Sequence, residues 1–96
     1  MTEQELYKKV RESIGITSDA QDKQLFPHFK TCFHYLINAG ISRDKLLNKN
    51  ETLVGLLARG TNDFWMEGKF SDVFYELITS FRTEEGDTSV QTKFNE

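Results

Sequence analysis

The amino-acid sequence predicts an all-α chain: a compact bundle of about four helices plus a short helical turn and a flexible C-terminal tail. Three observations point there. Apolar residues recur at three- and four-residue spacings in successive stretches, helix-start signatures stand just ahead of them, and proline occurs once. A Pro-poor chain rich in Leu and Phe, with both signs of charge spread along it, favours helices over sandwich strands. At 96 residues there is room for one domain only. Residues 1–82 read as the helical body and 83–96 as the tail.

The first helix is predicted from Thr2 to about Ser13. Thr2 and Glu5 form a capping box, Leu6, Val10 and Ile14 repeat every four residues beside Tyr7, and Gly15 follows as a left-handed stop. Ser18 and Gln21 form a second box, with Asp19 and Asp22 placing negative charge where the helix dipole favours it. The set Leu25, Phe26, Phe29, Cys32, Phe33, Leu36 and Ile37 then marks the central helix, which Gly40 ends. Pro27 lies inside that pattern and predicts a kink or a division there.

Ser42 caps a single turn that points Leu46 and Leu47 inward, and Asn48-Lys49-Asn50 is a polar turn. A further helix runs from Glu51 to Met66. Leu53, Leu57, Phe64 and Trp65 share much of one side, while Gly55 and Gly60 each cost about 1 kcal/mol relative to Ala and are tolerable where another helix approaches closely. Ser71 caps the last helix, to about Arg82, with Phe70 and Tyr75 as a hydrophobic staple. Phe74, Leu77, Ile78 and Phe81 form its inward stripe. Beyond it the chain is polar, with Val90 and Phe94 its apolar exceptions.

Composition narrows the function. The net charge is −3 and the acidic and basic residues interleave, so no basic face for gripping nucleic acid is in view. The N-terminus is charged, unlike a signal peptide, and no apolar run approaches the roughly 20 residues of a membrane span. Cys32 is the only cysteine, so no internal disulfide is open to the chain.

Catalytic and metal chemistry finds little to work with. His28 and Cys32 are four apart and share a helix face, but His34 falls round the helix and no fourth Cys or His exists. Cys32 as a nucleophile would need a base beside it, and its neighbours Phe29 and Phe33 raise a thiol pKa instead of lowering it. Neither an enzyme, a metal site nor a cofactor is expected. A DNA-reading helix-turn-helix over Ile41–Ala58 would offer only Arg59 and few amides to base edges. The eight Phe residues exceed what so short a chain fully buries, and some should sit at subunit interfaces.

Two stretches carry a resemblance. One is Ile14-Gly15-Ile16-Thr17-Ser18-Asp19-Ala20-Gln21-Asp22, leading to Leu36-Ile37-Asn38-Ala39-Gly40. The other is Ala58-Arg59-Gly60-Thr61-Asn62-Asp63-Phe64-Trp65, followed by Phe70-Ser71-Asp72-Val73-Phe74. Together, over residues 6 to 82, they resemble the small head–tail connector (head-completion adaptor) proteins of long-tailed bacteriophages. That family's central helix is often Ala-rich, whereas this one carries Pro27, His28, Phe29 and Phe33.

The resemblance implies a helical virion assembly protein forming a homo-oligomeric ring, of about twelve copies. Its partners would be the portal protein and a tail-side head-completion protein. DNA would pass through its channel without specific binding. The implied location is the head–tail junction of the virion, with host cytoplasm during assembly and no membrane. Arg59, Asn62, Asp63 and Trp65 are the candidate interface residues, joined by Val90 and Phe94 of a tail that could order on a partner. For Arg59 and Asp63, an intrahelical ion pair is the plainer reading. The alternative function is a small helical regulatory binding module, transcription-factor-like or anti-repressor.

Overall fold

Each helix starts and stops where the chain supplies partners for its orphaned backbone groups. The computed structural model describes residues 1–48 and 50–84, and the helices there are α1 (Glu3–Ile14), α2 (Asp22–Asn38), α3 (Arg43–Leu46), α4 (Glu51–Glu67) and α5 (Asp72–Glu84), with no strand among the described residues. The all-α class is therefore established. Val90 and Phe94, and the expected tail beyond Glu84, lie outside the described residues. Thr83 and Glu84 extend α5.

At the head of α1 the Thr2 hydroxyl accepts from Glu5 N at 3.2 Å while Thr2 N donates to Glu5 Oε1 at 2.9 Å. Gly15 at φ 97° ends it, with Gly15 N and Ile16 N donating back to Glu12 and Arg11 carbonyls. The same two-bond closure ends α2, where Gly40 at φ 104° and buried Ile41 donate to Ile37 and Leu36. Ser42, Asn50 and Ser71 each accept from the backbone N–H three residues on, capping α3, α4 and α5.

Two readings of α2, a cap from Ser18 and Gln21 and a division at Pro27, fail. Ser18 and Gln21 do not cap it: the helix begins at Asp22, and Gln21 makes no side-chain cap. Asp22 has better partners, since Tyr7 Oη donates to its carboxylate at 2.5 Å and Arg11 reaches both oxygens at 3.1 Å. Those bonds tie the start of α2 to the side of α1. Nor does Pro27 divide the helix, which runs unbroken from Asp22 to Asn38. Pro27 is exposed in the second turn, so its missing N–H leaves only one early carbonyl to solvent.

The packing centres on α4. Helices α2 and α1 both lie along it, and α5 folds back on it more lightly. Phe29, Phe33, Phe74, Leu6, Leu25, Leu36 and Leu57 are fully buried between them, each stabilising the fold by roughly 1.5–3 kcal/mol. The inward stripe of α5 is Phe74, Ile78 and Phe81; Leu77, expected to belong to it, is 41% exposed. Leu77 sits on the flank of α5, where no described helix covers it.

The two glycines of α4 answer different constraints. A Cβ on Gly60 would lie within 2.5 Å of Phe74 Cε1 and well inside van der Waals contact distance of Cys32 Sγ, so α2 and α5 close on bare backbone there. Gly55 is exposed and a Cβ on it would meet nothing within 4 Å. A close helix approach is thus found at Gly60 and not at Gly55.

Glu3 completes the polar framework, pairing with Lys30 of α2 and Arg43 of α3. The Lys30 hydrogen bond, against some burial and with Arg43 assisting, holds its carboxyl below the ordinary value. Asp22 is held low in the same way by the Tyr7 hydroxyl and then Arg11.

Two tests follow from this framework. Gly55→Ala should stabilise the protein by roughly 0.5–1 kcal/mol. Gly60→Ala should destabilise it by about 1–2 kcal/mol, because overpacking outweighs the helix-propensity gain. Thermal melts should move in opposite directions by several degrees. The second test concerns acid. With both carboxyls ionising more readily when folded, the unfolded chain binds more protons as pH falls. Their contribution is complete above about pH 4 and is lost below it, as pH drops through the folded values. The melting temperature of Asp22→Asn should lie below that of the parent at neutral pH, and the gap should close in acid.

Candidate functional site

The turn between α4 and α5 is built around one buried carboxylate. Asp63 Oδ2 accepts from Ser71 Oγ at 2.6 Å and Ser71 N at 3.2 Å, and Arg59 Nε approaches at 3.3 Å, with Oδ1 at 3.2 Å. Ser71 Oγ in turn accepts from Phe74 N at 3.3 Å. One hydroxyl therefore caps α5 and ties it to the last turns of α4. Gly68 at φ 74° ends α4 and turns the chain toward Ser71.

This clasp sets an outward face. Along α4, Thr52, Gly55, Arg59, Asn62 and Met66 follow at three- and four-residue intervals, and all are exposed except half-buried Asn62. Met66, at 71% exposure, is the most open large apolar side chain among the described residues. Val73 and Leu77, exposed and four apart, occupy one flank of α5. Arg59 is the single charge on the α4 strip named here.

Two depressions flank that strip. Between α4 and α5 lies a groove of about 350 Å³, lined by Thr52, Gly55, Leu56, Leu77, Ser80 and Phe81. On the α1 side Arg59 and Asn62 meet Ala58, Ser13 and Ile14 around a shallower recess of about 270 Å³. Of the sequence-predicted interface residues, Arg59 and Asn62 thus come together on the surface. Asp63 is buried and its carboxylate is taken up by Ser71 and Arg59, so it reaches the surface only through Arg59. The ion pair anticipated for Arg59 and Asp63 is present. Trp65 is half-buried and packs on the core. Val90 and Phe94 are outside the described residues.

Cys32, buried beneath Gly60, is placed for packing. Burial, with the Asp63 charge adding to it, pushes its thiol well above the usual range, so it stays protonated at neutral pH. The Thr61 hydroxyl opposes that shift but makes no hydrogen bond of regular geometry. His28 lies half-buried against the Phe64 ring at 5.8 Å, and His34 is exposed beside Phe33. Among the described residues, no group of three or more His, Cys, Asp or Glu could hold a metal ion. None of the helices described is long and apolar enough to cross a membrane.

The sequence reading missed the exposure of Gly55, Met66, Val73 and Leu77. The spacing of 52, 55, 59, 62 and 66 was the available signal, since it is a helical stripe carrying a single charge. Comparison with protein-family models, curated proteins and solved structures finds no match to this chain.

Asp63→Ala strands the Ser71 donors and should cost about 1–3 kcal/mol in urea denaturation. Arg59→Ala removes only a half-exposed i,i+4 pair, and its effect should stay within a few tenths of a kcal/mol. Equal losses would make the ion pair, not the Ser71 bonds, the main contribution of Asp63.

Proposed function

We propose that this chain is a structural virion assembly protein. In this reading it is a ring-forming head–tail connector that docks on a portal and extends the DNA channel toward the tail. The observation that carries the reading is the run Ala58–Trp65 with Phe70–Phe74, through which the sequence resembles that family. The fold supports it by giving Arg59 and Asn62 an open position on a nearly uncharged face. A closed ring needs heterologous contacts, in which one face meets a different face of the next copy. The strip along α4, with its apolar flank on α5, is suited to one half of such a contact. A net charge of −3 suits a channel wall along which phosphates slide, because fixed positive charge would hold them.

The reading assigns the chain no catalysis and no cofactor. Its partners are further copies of itself, a portal and a tail-side completion protein, and its place is the head–tail junction.

Size exclusion with light scattering, combined with negative-stain imaging, tests it on the chain alone and then mixed with portal. Rings of about a dozen copies, free or seated on portal, are expected. Arg59→Ala with Asn62→Ala should abolish them while the melting temperature changes little. A monomer that also ignores portal would overturn the connector reading in favour of the regulatory module.

A further inference from the structure

The groove between α4 and α5 has an unusual floor. Gly55 lies in mid-helix, exposed, with a conformation open to any residue and nothing within 4 Å of where its Cβ would stand. Helix propensity disfavours glycine there, and no described part of the chain uses the space it leaves. Thr52 and Ser80 keep the rims low, while Leu56, Leu77 and Phe81 make the walls apolar. Leu77 remains 41% exposed on that wall, although the spacing of α5 groups it with the buried Phe74, Ile78 and Phe81.

We infer that this groove is the seat of the chain's own C-terminal segment, residues 85–96, which lays Val90 and Phe94 against Leu77, Leu56 and Gly55. The position of the chain end argues for it. Helix α5 passes along the groove, lines it with Leu77, Ser80 and Phe81, and reaches Glu84 within one turn of its rim. Twelve residues follow, and their two large apolar side chains are Val90 and Phe94, four apart. Gly86, two residues past the helix, permits the reversal the path requires.

Reach is ample. Seven residues of helix separate the level of Glu84 from that of Leu77, about 10 Å, whereas twelve extended residues span about 40 Å. The tether also decides between this segment and the same segment of another copy. A short covalent link holds its own segment at an effective concentration of order millimolar, above that of any second chain in dilute solution. Among the described residues that line the groove none is charged. The inference does not depend on the connector reading and can fail without it.

Methyl NMR on the full chain with labelled Leu and Val tests it. Contacts from the Phe94 ring to Leu77 and Leu56 methyls should be present and independent of protein concentration. Phe94→Ala should shift those methyls and leave Leu6 and Leu25 in place. Gly55→Leu, which fills the floor from an exposed site, should abolish the Phe94 contacts with the fold intact. Leu77 methyls indifferent to Phe94→Ala would overturn the inference. So would contacts seen only between differently labelled copies and fading on dilution, which would assign the groove to a second chain's segment.

Discussion

The missing side chain at Gly60 sets the distances on which the rest of the bundle depends. Only bare backbone lets α4 lie against Cys32 of α2 and the Phe74 ring of α5 at the same point. That three-helix contact places Phe74 where it stacks on Phe70 at 4.4 Å and lies 6.0 Å from Tyr35. The aromatic group so formed links α2 to α5, which otherwise meets the bundle mainly through α4. Packing density explains why one position matters so much. Interiors have few voids, so an added methyl there must move a ring or a helix.

Polar contacts then fix what the apolar contacts leave free. Apolar burial has little direction, and a helix hairpin packed by it alone can slide or rotate. Asp63 removes that freedom by accepting two bonds from Ser71 while Ser71 caps α5. At the junction of α1 with α2, Asp22 does the same through Tyr7 and Arg11. Both carboxylates stand at helix junctions, and each binds a group on the helix it must position. The Tyr7 hydroxyl, raised in pKa by burial and then by the Asp22 charge, remains a donor throughout the neutral range.

Local chemistry was legible in the sequence, and long-range competition was not. Thr2 with Glu5, Gly15, Ser42, and Phe70 with Ser71 and Tyr75 act within a turn of themselves, and all do what their spacing implies. Ser18 with Gln21 carried an equally good box, yet α2 starts a turn later because Tyr7 and Arg11, 15 and 11 residues away, bind Asp22. Leu77 had the right period for the core. Period gives direction around a helix but not whether a neighbour covers that direction, and α5 has α4 on one side only. Gly55 and Gly60 look alike in sequence, and the difference between them is the presence of α2. For the outward face, the single-charge stripe was readable, whereas the commitment of Asp63 to Ser71 was not.

The run from Arg59 to Trp65 therefore divides into two kinds of position. Gly60, Thr61 and Asp63 are buried, and each is explained by the contact of α4 with α2 or by the turn into α5. Arg59 and Asn62 point the other way, toward the recess beside Ser13 and Ile14. A change at an inward position acts on the fold before it can act on any partner, so lost assembly in such a variant says nothing about contact. The outward pair is less confounded: Arg59 is half exposed and its ion pair lies within α4, and among the described residues no hydrogen bond ties Asn62 to another helix. These two side chains and the uncharged strip beside them are therefore where a surface change disturbs the fold least.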